Sequence, residues 1–209
     1  RPSSPDPIRY YLEQPKFYLR DANWSPDFSQ SAQKILEFYN SELPFAARKN
    51  PALDMAAKSA TPLHGVIAVM PEAIRSILKL TGPITARNQT FTPENLTDAL
   101  EYEVEIGFEQ KGIPRPQRKE IISELGHALI AKVMNLPFSK WPEALAEVRN
   151  AFDEKQILIY STAPNPQSLV ELNGWSGRLA KVPADYLGVF DANLFSLKTD
   201  PYVSRSIFS

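Results

Sequence analysis

At 209 residues, with 43% hydrophobic and 22% charged residues, the chain has the composition of a globular protein, which excludes disorder, a coiled coil and collagen. Its 23 basic residues stand against 24 acidic ones, scattered along the sequence, so nothing marks a nucleic-acid partner or an anionic lipid surface. No apolar run approaches the ~20 residues that span a bilayer, and the length fits one large domain better than two.

Residues 1–16 hold four prolines and predict an extended lead-in. Phe17 to Arg20 predicts a first strand. Beyond it, prolines mark helix starts. In Ser25-Pro26-Asp27, Met70-Pro71-Glu72, Thr92-Pro93-Glu94 and Trp141-Pro142-Glu143, proline takes a position whose N–H has no helical partner, and the following acid complements the helix dipole. Arg115-Pro116-Gln117 and Asn165-Pro166-Gln167 repeat the pattern with a neutral partner, so about six helices are predicted.

The spacing of Phe28, Ala32, Ile35, Leu36 and Tyr39 gives one stripe of a helix over about 26–42. Residues 43–63 show no clear period and read as a surface loop with room for one helical turn. Gly65 to Val69 and Ile84 to Ala86 predict short strands. Leu96, Leu100, Val104 and Phe108 mark a helix over 93–110, and Ile121, Ile122, Leu125, Leu129, Val133 and Leu136 mark another over 116–136. Ile157 to Tyr160, Tyr186 to Phe190 and Tyr202 to Phe208 complete the predicted strands. This alternation predicts a single three-layer α/β domain with a mixed central sheet and helices on its faces. Opening on Arg1 and stopping on a strand, the chain reads as part of a longer protein.

Many familiar sites are absent by composition. Without cysteine there is no thiolate nucleophile and no zinc site built on sulfur. His64 and His127 are too far apart in sequence for a zinc-hydrolase motif, and no G-x-S-x-G elbow supports a serine hydrolase. The 8 glycines form neither G-x-G-x-x-G nor a P-loop.

The densest polar cluster, Arg20-Asp21-Ala22-Asn23-Trp24-Ser25-Pro26-Asp27, joins a predicted strand to a helix N-terminus. Ligands of open α/β sheets sit at such places, and helix capping by Ser25 and Asp27 explains the same residues. The tripeptide recurs as Asp191-Ala192-Asn193 after another predicted strand. If the two strand ends are neighbours, Asp21, Asp191 and Asp200 form an oxygen-ligand set suited to magnesium or calcium; chance recurrence is the other reading. On a helix from 116, Arg118 falls on the core side of the first turn, where a cation opposes the dipole, so an anion should meet it: a carboxylate or a bound phosphate. Trp175, in the turn Asn173-Gly174-Trp175-Ser176-Gly177, either plugs the core or offers a sugar-stacking face.

At Leu19-Arg20-Asp21-Ala22-Asn23-Trp24-Ser25-Pro26-Asp27-Phe28, His64 to Val69, Leu80-Thr81-Gly82-Pro83 and Asp191-Ala192-Asn193-Leu194, the chain resembles a bacterial family known only as domain of unknown function four thousand and twelve, over nearly all its length. That resemblance implies an extracytoplasmic segment of a membrane-anchored envelope protein. More distantly, Gly65 to Val69, Leu80 to Ile84, Leu96 to Tyr102 and Arg115 to Lys119 are similar in order and spacing to the LytR-CpsA-Psr enzymes. Those are α/β phosphotransferases that move glycopolymers from polyprenyl pyrophosphate to the cell wall with a divalent metal. The resemblance implies that Arg20, Asp21, Arg115 and Arg118 face one pyrophosphate site, with Asn23 beside them and magnesium at Asp21 or Asp191. It also implies a departure: Tyr102-Glu103-Val104-Glu105 stands where those enzymes have two arginines on a strand.

Two functions follow as expectations. One is an envelope domain that binds a polyprenyl-linked glycan or lipid head group without efficient catalysis. The other is a metal-dependent phosphotransferase that attaches glycopolymers to the cell wall.

Overall fold

The computed structural model describes residues 1–49, 63–183, 185, 187–192, 194 and 204. In chain order its elements are α1 (Asp6–Tyr11), α2 (Phe28–Lys49), β1 (Gly65–Val69), α3 (Pro71–Thr81), β2 (Ile84–Ala86), β3 (Gln89–Phe91), α4 (Leu96–Tyr102), a π-helical turn (Glu103–Gly107), α5 (Phe108–Gln110), α6 (Glu120–Met134), α7 (Trp141–Asp153), β4 (Ile157–Ser161) and α8 (Pro164–Leu172). Short 3-10 turns occupy Leu19–Asp21, Arg115–Gln117 and Phe138–Lys140. The protein is mixed α/β, as the alternation predicts.

The strands are arranged differently from the expectation. Among the described residues they form two separate two-stranded sheets, β1 with β4 and β2 with β3, where one mixed central sheet was expected. β2 and β3 are antiparallel, with Ile84 opposite Phe91 and Ala86 opposite Gln89. Phe17 to Arg20 is not a strand: Asp21 N–H bonds the Tyr18 carbonyl and Ala22 N–H the Leu19 carbonyl, closing a local turn that leaves no ladder to extend. Leu187 to Phe190 is described and is not a strand, and the segment Tyr202 to Phe208 lies, save Ser204, outside the described residues.

By their internal contacts the residues group into two compact units. The first comprises Arg1–Val66, Tyr160–Leu169 and Ser176–Ser209; the second comprises Ile67–Ile159 and Val170–Trp175.

In the first unit the expected extended lead-in contains α1, because Pro5 and Pro7 preset helical φ at its start and Asp6 complements the dipole. Ile8, at i−4 from Leu12, buries against Phe17, Ala22 and Phe38, with Leu12, Leu19, Trp24 and Ile35 packed around them. Phe17 meets Phe38 edge to face, with ring centroids 5.2 Å apart. Helix α2 carries the predicted stripe and continues through Pro44 to Lys49; the rest of the predicted 43–63 loop, up to residue 62, lies outside the described residues. At the Gly65 end of β1 a Cβ would stand 2.4 Å from the Tyr160 carbonyl, so only glycine lets the two backbones come this close.

The second unit is built around Leu78, Ile84, Ala86, Phe91, Leu96, Val104, Ile121 and Leu125. The β2–β3 hairpin turns through Arg87 and Asn88, both with positive φ (48° and 60°), the geometry of a tight primed turn. The predicted stripe of 93–110 is present: Leu96, Val104 and Phe108 are all buried, although the backbone passes through the π-helical turn. The helix predicted over 116–136 begins later, at Glu120, after the 3-10 turn at Arg115–Gln117. Among the described residues no helix is long and apolar enough to cross a membrane.

Candidate functional site

Within the first unit, a cleft of about 290 Å³ is lined by Arg20, Asp21, Asn23 and Trp24, by Asp191, Ala192 and Leu194, and by Ile8 and Leu12 of α1. Asp21 and Asn23 of the first Asp-Ala-Asn copy and Asp191 and Ala192 of the second thus line one cleft, without adjacent strand ends. Asn193 lies outside the described residues. Asp21 is largely buried and Arg20 mostly exposed, with Arg20 Nε 3.5 Å from Asp21 Oδ2. Gln14 links them: its amide NH₂ donates to Asp21 and its carbonyl oxygen accepts from Arg20. The Arg20 guanidinium also lies over the Tyr18 ring, 5.3 Å from its centroid.

The N-terminus of α2, beside this cleft, is filled by the chain itself. Phe28 N–H donates to the Gly177 carbonyl, and Asp27 Oδ1 accepts from Gln30 N–H at 3.2 Å. Asp27 Oδ2 accepts from Leu179 N–H at 3.3 Å, and Ser29 Oγ donates to the Ser176 carbonyl. The capping reading therefore accounts for Asp27, and Ser25 Oγ supports it by accepting from Asp27 N–H at 3.2 Å.

Of the expected oxygen ligands, Asp21 and Asp191 line the same cleft. Magnesium and calcium take six or more oxygen ligands. Asp21 is already engaged by Gln14 and Arg20, and among the described residues no group of three His, Asp or Glu stands close enough to share an ion. Asp200 lies outside the described residues. The described residues do not compose a divalent-metal site.

Arg115 and Arg118 belong to the second unit. Arg115 is exposed in its 3-10 turn. Arg118 precedes α6 and so does not sit in the helix's first turn; the dipole conflict inferred from a helix starting at 116 does not arise. The anion that meets it is a carboxylate of the same unit, Glu105 Oε2, 3.2 Å from its guanidinium. The Phe108 ring lies under the same group, 5.9 Å from its centroid. Glu103 is buried and held by Lys111 Nζ at 2.7 Å, and Lys111 also donates to the Arg87 carbonyl. Glu103 and Glu105 are thus each matched by a cation of this chain.

Trp175 half-plugs its surroundings, stacked on Phe152 with centroids 4.5 Å apart, above a cleft that Leu145, Arg149 and Asn173 also line. His64 and His127 are both exposed. Sequence reasoning missed Gln14 and the contribution of α1. The i, i+4 pair Ile8 and Leu12 was a readable sign of a helix face; nothing in the sequence pointed to Gln14.

The fold and cleft define a small α/β protein with a polar cleft walled by a tryptophan. Residues 1–104 of the 209 match the model of a family described as Protein of unknown function (DUF4012). The matched stretch holds Arg20, Asp21, Asn23 and Trp24 and leaves out Asp191, Arg115 and Arg118. No curated protein and no solved structure matches the chain.

Proposed function

We propose that this chain is a domain of the bacterial cell envelope that binds a glycopolymer without turning it over. The observation that carries the reading is the cleft that Arg20, Asp21, Asn23 and Asp191 line together with Trp24. Sugar hydroxyls both donate and accept, so carboxylate, amide and guanidinium groups in one small cleft suit them, while an indole covers the apolar face of a pyranose. Among the described residues the lining has one cation, Arg20, against Asp21 and Asp191. That balance suits a sugar better than a polyprenyl phosphate, whose charge would face two carboxylates. The extracytoplasmic location comes from the family resemblance. Lost catalysis is supported by Glu103 and Glu105, whose carboxylates are committed to Lys111 and Arg118. A pyrophosphate site built on the LytR-CpsA-Psr plan would forfeit two charge-assisted contacts there, at about 1.5–3 kcal/mol each.

Calorimetric titration of the purified chain with glycopolymer fragments released from cell walls tests the reading. Asn23→Ala and Asp191→Ala are each expected to weaken binding at least about tenfold, equivalent to about 1.4 kcal/mol. Binding that both variants leave intact overturns the site. Release of phosphate or pyrophosphate from a polyprenyl-linked substrate with added magnesium replaces the proposal with the phosphotransferase reading.

A further inference from the structure

We infer that the binding site continues past Trp24 into a second cleft, so that its ligand is a linear glycan chain lying across the indole and not a single terminal sugar. The inference rests on the glycan-binding reading above and extends it. The second cleft, about 320 Å³, belongs to the same unit, and Trp24 lines both clefts. Trp24 is packed against the Ile8, Phe17, Ala22 and Phe38 cluster, which fixes its ring as a wall that both clefts share.

The chemistry of the second lining narrows the ligand. Ser25, Gln30, Gln33, Lys34 and Glu37 supply a hydroxyl, two primary amides and one ion pair. Lys34 Nζ lies 2.6 Å from Glu37 Oε2, so the two charges neutralise one another. Ser25 Oγ lies 3.5 Å from Gln30 Oε1, which sets an alcohol and an amide side by side. Such a wall is rich in donors and acceptors and carries no excess charge. It suits the hydroxyls and amides of a neutral sugar. Phe17 and Ala22 line the cleft beside Trp24 and add an apolar floor on which the face of a pyranose can lie, while among the described residues of this wall a free phosphate would find no unpaired cation. One cleft of mixed charge and one neutral cleft, joined at an aromatic ring, therefore suit successive units of one polymer.

Ligand length supplies the test, because a second occupied subsite binds intramolecularly once the first is filled. The probes are the dimer, tetramer and hexamer of β-1,4-linked N-acetylglucosamine, titrated calorimetrically into the intact chain. The tetramer is expected to bind about tenfold more tightly than the dimer. Gln33→Ala, a substitution at an exposed position, should abolish that gain and leave dimer binding unchanged; Asn23→Ala should weaken all three probes. Trp24→Ala should weaken every probe too, but Trp24 also supports the core, so Gln33→Ala is the deciding variant. Equal affinity for dimer and tetramer, or a length gain that survives Gln33→Ala, overturns the second cleft and leaves the glycan reading standing. No binding of any probe, nor of the cell-wall fragments, overturns both.

Discussion

The two units dispose of their charges in opposite ways. In the second, Arg87 is largely buried and pairs with Glu124 at 2.8 Å and Glu120 at 3.4 Å, Lys111 holds the buried Glu103, and Arg118 meets Glu105. These pairs surround the Leu78–Phe91–Leu96–Ile121 core and complete it. In the first unit, Arg20 lines a cleft with 70% of its side chain exposed, 3.5 Å from Asp21 and bridged to it by the Gln14 amide. A charge matched inside the fold has no further partner to seek. One that is paired yet mostly in solvent, beside a cleft, can still meet a ligand.

Substitutions in each unit can break or sharpen this contrast. The largest expected effect is Phe91→Ala in the second unit, where a fully buried ring would leave a cavity; a loss of about 3–5 kcal/mol in urea unfolding is expected. A loss under about 1 kcal/mol would mean that this core is not what holds the unit together. Next comes Lys111→Ala, which strands the Glu103 carboxylate. Because Lys111 is about one-third exposed, the loss should fall below the 3–5 kcal/mol of a fully buried pair, at roughly 2 kcal/mol. Lys111→Arg should restore part of it.

In the first unit, Asp27→Ala removes the acceptor for Gln30 N–H and Leu179 N–H, and a cost of about 1–2 kcal/mol should appear as a lowered melting temperature. Asp27→Asn, which keeps one acceptor oxygen, should recover about half. The smallest effect is Arg118→Ala. A partly exposed pair with Glu105 is worth about 0.5–1 kcal/mol, and its ion-pair part should shrink in high salt. A loss of several kcal/mol would show that Arg118 is buried in a network larger than Glu105. Affinity for inorganic phosphate that disappears with Arg118 would return it to the ligand-binding set.

Helix starts were the most legible part of the fold, because proline and a following acid act locally and need no tertiary partner. Pro71 and Pro142 both stand within the first turn of their helices. Turns were less legible. The β2–β3 hairpin was missed because Arg87-Asn88 reaches positive φ without glycine, so the usual Asn-Gly or Asp-Gly signature is absent. Its strand β3 has only 3 residues, too few to show alternation. The Phe17 to Arg20 segment looked β-prone by composition, yet a helical turn won once Tyr18 and Leu19 carbonyls found N–H partners three residues on. In the site, Asp21, Asn23 and Asp191 were readable from a repeated polar tripeptide and Arg20 from the polar cluster that opens with it, and the structure brings them to one cleft. Arg118 was misread because its helical-wheel position assumed a helix that begins at 116, ahead of the helix at Glu120. Gln14 carries no sequence signal, since an amide on a connecting segment looks like any solvated residue.

The clamp between Asp27 and Leu179 spans 152 positions, and the one from Ser29 to Ser176 spans 147. Contacts of such separation form only after a costly loop closure, whereas most of the second unit is one continuous stretch from Ile67 to Ile159. During synthesis, α2 leaves the ribosome long before Gly177 and Leu179 exist to cover its first turn. The second unit can then collapse around its hairpin while the segment bearing Trp24 still lacks its final partners. The cleft lined by Trp24 therefore matures after the second core, and a nascent protein halted before residue 176 would carry a formed second core and an unfinished first unit.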